Sequence, residues 1–235
     1  MLGSTSEVAK AICRELASSG CRRFHLVARN EEANLDLARE LEESFGAAVS
    51  TEQTDLLADA ALEQARCPAV GDFDLYLITA GSLGDAELAR SDAAEAMRIL
   101  AANMGGLIPW ITAIATPERL ARPGRLWVFS SVAADRGRPS NYHYGAAKAA
   151  LTALSEGLLL RCHGKPFAVR IIKAGFMATP MTVGKAPPLL CASPESVARD
   201  LLRRPNSRGI EYLPWWWSPL MQLIRVLPAP IASKL

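Results

Sequence analysis

Residues 126–151 read LWVFSSVAADRGRPSNYHYGAAKAAL. Leu126–Phe129 is an unbroken aliphatic and aromatic run, the pattern of a strand buried on both faces. A polar, proline-bearing stretch follows, and from His143 to Cys162 the apolar residues change to helical spacing. The same alternation recurs outward in both directions. Strand-like runs stand at Phe24–Ala28, Asp74–Ala80 and Phe167–Lys173, and helical patterns at Val8–Ser18, Glu31–Phe45, Ala58–Arg66 and Asp92–Ile114. Strands alternating with helices predict one doubly wound α/β domain, a parallel sheet covered on both faces. Its expected extent is 1–213, with an apolar tail over 214–235. A turn opens at Gly3, so the first strand can be only Met1-Leu2 plus whatever preceded them.

The 235 residues are 50% hydrophobic and 21% charged, enough for a core and too apolar for a disordered chain. A net charge of +2 is too small for a nucleic-acid binder. It hides an asymmetry: residues 1–100 hold 18 acidic against nine basic side chains, residues 101–235 six against 17. The basic half points to an anionic partner. Cys13, Cys21, Cys67, Cys162 and Cys191 form no CxxC and no cluster with the three histidines, so neither a metal site nor a disulfide framework is expected. Free thiols fit a reducing, cytoplasmic compartment. No basic segment precedes an apolar stretch at the start, which reads as no signal peptide. The longest uncharged aromatic-aliphatic run, Tyr212 to Ile224, is 13 residues with two prolines, short of the roughly 20 that span a bilayer.

The chemistry centres on Tyr144-Gly-Ala-Ala-Lys148. Residues four apart share a helix face, so phenol and ammonium point into one space. A nearby Lys⁺ favours the phenolate, which would bring Tyr144 toward a usable acid or base near neutrality. About one chain in ten of this composition holds such a pair by chance, and fewer than about one in a hundred adds a serine at the offset of Ser131. Ser131 also ends a strand, where ligands meet parallel sheets.

With these residues in place, the stretch VFSSVAADRGRPSNYHYGAAKAAL resembles the short-chain dehydrogenase/reductase superfamily, and the likeness runs over nearly the whole chain. It implies a Rossmann-like fold and an NAD(P)-dependent oxidoreductase. Ser131 would orient the substrate carbonyl, Tyr144 would protonate the alkoxide, Lys148 would bond the nicotinamide ribose, and Asn103 would hold a relay water. For the cofactor it implies Gly3, with Thr5 and Ser6 at the pyrophosphate, although Glu7 and Ala9 replace two of the family's glycines. Arg29 after the second strand favours the 2′-phosphate of NADPH over NADH. Asp55 would meet the adenine. Ala80 and Gly81 follow Thr79, where the family has asparagine. Gly175 follows Ala174, where it has proline, and Thr179 would touch the nicotinamide end.

A finer resemblance is to the polyprenyl-phospho-2-keto-pentose reductases, which complete the formation of a lipid-linked arabinose. It rests on GSTSEVA, SLGDAE, SSVAADRGRPSNYHYGAAK, the Lys185-Ala-Pro loop and the arginine-bearing apolar tail. It implies a flavin-dependent oxidase as partner and work at the inner face of the plasma membrane. Arg136, Arg138 and Lys185 could hold a lipid phosphate. The tail, YLPWWWSPLMQLIRVLP, with Arg225 and Lys234, reads as an interfacial docking helix, a lid over the substrate cleft or a homo-oligomer contact. Two other functions stay open: reduction of another lipid carbonyl, a 3-keto sphingoid base or 3-oxoacyl thioester, and a catalytically silent NADP-binding protein.

Overall fold

Each predicted strand run starts or stops at a turn residue, and the computed structural model shows where those turns lead. It describes residues 1–58, 70–179, 182 and 188–234. In chain order the elements are α1 (Glu7–Ser18), β1 (Arg23–Ala28), α2 (Glu31–Phe45), β2 (Ala48–Gln53), β3 (Leu75–Ile78), α3 (Ala93–Asn103), α4 (Ile108–Ile114), α5 (Pro117–Leu120) and β4 (Gly124–Ser131). There follow α6 (Tyr142–Arg161), β5 (Phe167–Ala174), α7 (Pro194–Arg203), β6 (Gly209–Leu213), α8 (Trp217–Val226) and α9 (Ala229–Ala232). The helix expected at Ala58–Arg66 lies, beyond Ala58, outside the described residues, as do Cys67 and Lys185.

The chain divides into two compact units. The first comprises 1–55, 77–80 and 176–207. Its strands β1 and β2 pair in parallel from Arg23↔Ala48 to Ala28↔Gln53. Leu2 bridges in parallel to Val27 on one side and Ile78 on the other, so Met1-Leu2 lies between β1 and β3. Ser6 caps α1 by accepting from Ala9 N at 3.2 Å, and Asn30 caps α2 by accepting from Ala33 N at 3.0 Å, each replacing a hydrogen bond the first turn lacks. The apolar faces of both helices meet β1 in a cluster around Cys13, Leu26, Leu37 and Leu41.

The second unit comprises 56–76, 81–175 and 208–235. Strands β4 and β5 pair in parallel over their full eight residues, Gly124↔Phe167 to Ser131↔Ala174, and β5 pairs in parallel with β6. The sheet order is β3-β4-β5-β6. All eight residues of β5 are buried, as a central parallel strand requires. Among the described residues, Ala93–Ile114 is long and apolar enough to cross a membrane, but half of it is buried inside the unit. It is also not one helix. The sequence predicts continuous helix over Asp92–Ile114, whereas α3 stops at Asn103, a 3₁₀ turn spans Gly105–Leu107, and α4 resumes with a proline in its first turn. Two glycines followed by a proline make the break.

Candidate active site

Ser131 is the last residue of β4 and so stands where the strand gives way to a turn. Its Oγ accepts from Ala133 N at 3.1 Å and is hydrogen-bonded to the hydroxyl of Tyr144. Tyr144 lies in the first turn of α6, and one turn on the same helix face brings Lys148 Nζ to 5.8 Å from the Tyr144 ring centre. Lys148 is buried and donates to Phe129 O on β4 at 3.1 Å. Its own carbonyl accepts from Thr152 Oγ1 at 2.8 Å and Ser130 Oγ at 3.2 Å, which fastens this turn of α6 to the strand.

Asn103 is fully buried at the end of α3, where its Nδ2 donates to Ser82 O at 2.6 Å and Ile99 O at 2.9 Å while Oδ1 accepts from Ser82 N at 3.2 Å. Gly81 sits between Asn103 and Lys148. A Cβ there would fall 2.5 Å from Asn103 Oδ1 and 3.1 Å from Lys148 Nζ, so any side chain would push the two apart. The second unit thus brings together Asn103, Ser131, Tyr144 and Lys148, the four catalytic residues read from the sequence, with Gly81 beside them.

The electrostatics differ from the sequence reading in one respect. Burial pushes the Tyr144 phenol up to about 12, against the downward pull of the Ser131 hydrogen bond and the charge of Arg138. Lysine therefore does not draw the phenol toward neutrality here, as its spacing led one to expect. The same burial draws Lys148 down to about 8, which weakens its hold on a positive charge. The cation acting on Tyr144 is Arg138, whose Nε is buried with no partner among the described residues.

The cofactor residues Gly3, Thr5, Ser6, Arg29, Asp55, Ala80 and Thr179 all fall in the first unit, while Gly175 joins Gly81 in the second. Gly3 has φ +87°, and a Cβ on it would meet Ala80 N at 2.5 Å, so the turn before α1 admits glycine alone. Thr79, standing for the family's asparagine, turns its hydroxyl to Gly3 O at 2.9 Å and Leu2 O at 3.1 Å and ties this turn down. Glu7, the acid next to the proposed phosphate site, is engaged by Lys10 at 3.1 Å. Arg29 and Asp55 are exposed just beyond β1 and β2. Thr179 N donates to Met177 O at 2.8 Å in a tight turn. A glycine-only turn opening a capped helix, with hydroxyls at its start, fits a dinucleotide pyrophosphate.

Of the substrate candidates, Arg138 alone stands beside Tyr144. Arg136 donates instead to the carbonyls of Ile224, Arg225 and Leu227, and Lys185 lies outside the described residues. Sequence reasoning missed Asp135, whose buried carboxylate takes Lys173 Nζ and, at 2.8 Å, the Tyr212 hydroxyl. The available signal was Lys173, a charge closing an otherwise nearly unbroken apolar run. Segment 214–235 packs into the second unit through Trp217 and Met221, and a Cβ on Gly175 would lie 1.8 Å from Trp217 Nε1.

Residues 1–188 match the short chain dehydrogenase family. The chain belongs to it. This makes it an NAD(P)-dependent oxidoreductase of the short-chain type. An uncharacterized oxidoreductase of Mycobacterium tuberculosis is 33% identical over 232 residues, which cover 97% of this chain and 92% of that one. The 3-oxoacyl-[acyl-carrier-protein] reductase of Chlamydia muridarum is 30% identical over 158 residues, 66% of this chain and 64% of that one. Among solved structures, a short-chain dehydrogenase from Sphingobium yanoikuyae in complex with NADPH superposes with a TM-score of 0.79 at 21% identity, over 97% of this chain and 95% of that one. The short-chain dehydrogenase fold expected from the sequence is therefore the observed one.

Proposed function

We propose that this short-chain dehydrogenase uses NADPH to reduce a keto group on a lipid-linked sugar, with a polyprenyl-phospho-2-keto-pentose as substrate. Arg138 carries the reading. A guanidinium beside Tyr144 whose buried Nε has no partner among the described residues is suited to an anionic group held next to the reacting carbonyl, as a sugar phosphate would be. The bound nicotinamide would supply the hydride. Ser131, its hydroxyl fixed by Ala133 N, orients the carbonyl, and Tyr144, protonated at neutral pH, gives its proton to the developing alkoxide oxygen. Lys148 would hold the ribose from the same helix face, and Asn103 the end of a proton relay. The turn at Gly3, with Thr5 and Ser6, would receive the pyrophosphate, Arg29 the 2′-phosphate, Asp55 the adenine, and Gly175 and Thr179 the nicotinamide end.

The outer face of the tail supports a substrate that stays in a bilayer. Trp215, Leu223, Val226 and Ile231 are exposed there, with Arg225 and Lys234 nearby in sequence, a composition suited to an anionic lipid surface. A flavin-dependent oxidase would supply the keto-sugar. The likeness to a 3-oxoacyl-[acyl-carrier-protein] reductase favours a second reading, a 3-oxoacyl thioester. The test offers both substrates with NADPH and follows absorbance at 340 nm. Turnover of the keto-pentose with little on the thioester is expected, and the reverse order would replace this reading with the second.

A further inference from the structure

Arg136 follows Ser131 by five residues, on a turn closed by Asp135 N donating to Val132 O at 3.2 Å. Its Nη2 donates to Leu227 O at 2.9 Å, and its Nη1 to Ile224 O at 3.4 Å and to Arg225 O. The last carbonyls of a helix have no partner within it and form the negative end of its dipole, so a guanidinium here both caps and neutralises α8. Asp135 anchors the same turn from its other side, through Lys173 on β5 and Tyr212 on β6. Two consecutive residues thus tie one turn to two strands and to α8.

The far side of that turn is the catalytic pair. Ala133 N holds Ser131 Oγ, and Ala133 O lies where a Cβ on Gly145 would be 3.0 Å away, so the turn rests directly against α6 one residue past Tyr144. We infer that Arg136 is a positioning residue: by clamping the end of α8 to the turn 131–136, it sets the Ser131 hydroxyl against Tyr144, and makes α8 part of the machinery that aligns them. The inference rests on Ser131 and Tyr144 acting as proposed above.

Amide hydrogen exchange read by mass spectrometry on the full chain tests it without any substrate. In Arg136→Gln, exchange should quicken at least about tenfold in both 222–228 and 130–136, while β5 keeps its wild-type rate. Arg136→Lys, which leaves one cationic donor at the helix end, should restore most of the protection in both segments. Should Arg136→Gln not fold, Arg136→Lys carries the test alone, with partial quickening expected at both segments. Quickening confined to 222–228 would leave Arg136 a helix cap and overturn the inference. Equal quickening throughout β5 would also overturn it, by showing general destabilisation. Failure of the reductase reading would show differently, as absence of NADPH-dependent turnover in the wild type with this exchange pattern intact.

Discussion

The buried ammonium of Lys148 is drawn from 10.5 down to about 8 by desolvation. Between those values the unfolded chain binds more protons than the folded one, so stability rises with pH across that window, and the full cost is present below it. Lys148→Met, which keeps the length and drops the charge, should therefore stabilise the fold by about 2 kcal/mol at pH 7. The gain should shrink as pH climbs from 8 toward 10.5, while reduction is lost at every pH. Urea denaturation at pH 7 and pH 10 checks this, and a less stable variant at pH 7 would contradict the burial cost. Tyr144 is shifted the opposite way in pH, up to about 12, so it begins catalysis holding its proton. Arg29, exposed just beyond β1, is the residue proposed for the 2′-phosphate. Arg29→Asp should weaken NADPH by about 10- to 100-fold and spare NADH, as tryptophan-fluorescence titration would show.

Gly3 governs the turn on which the first unit's cofactor reading depends. With φ +87° and Ala80 N 2.5 Å from the missing Cβ, Gly3→Ala forces strain and a backbone clash together. A loss of about 2 kcal/mol in thermal stability and of NADPH binding is expected, measured by calorimetry with and without NADPH. At this scale the sequence was legible where burial is complete. The runs at β1, β4 and β5 announce themselves because their buried positions are mostly apolar, Arg170 and Lys173 in β5 being the charged exceptions. Strands β2 and β6, with Ser50, Thr51 and Glu52 in one and Glu211 and Tyr212 in the other, are half exposed and lack that mark. The grouping of the proposed catalytic residues was legible because Tyr144 and Lys148 are set by helix geometry and Ser131 by a strand end. The employment of Arg136 was not. It depends on carbonyls some 90 residues away in sequence, and a basic loop near a catalytic tyrosine reads equally well as a substrate clamp. The network of Asp135, Lys173 and Tyr212 was hidden for the same reason.

Across the whole molecule the basic character collects in residues 101–235, the part that also carries the tryptophan-rich tail. Removing that tail would take away the buried Trp217 and Met221 with it, so the proposed membrane role is better probed on its outer face. Leu223→Glu with Val226→Glu should leave the fold intact and lower co-sedimentation with anionic liposomes by about tenfold. Equal sedimentation would leave the exposed face to a lid or a subunit contact. The account as a whole turns on Tyr144 as proton donor to a carbonyl reduced at the expense of NADPH. The direct measurement is NADPH oxidation at 340 nm with the polyprenyl-phospho-2-keto-pentose, wild type against Tyr144→Phe, alongside NADPH affinity for both. The account predicts turnover by the wild type, at least about a 100-fold loss in the variant, and nearly equal NADPH affinity. Near wild-type reduction by Tyr144→Phe would contradict it.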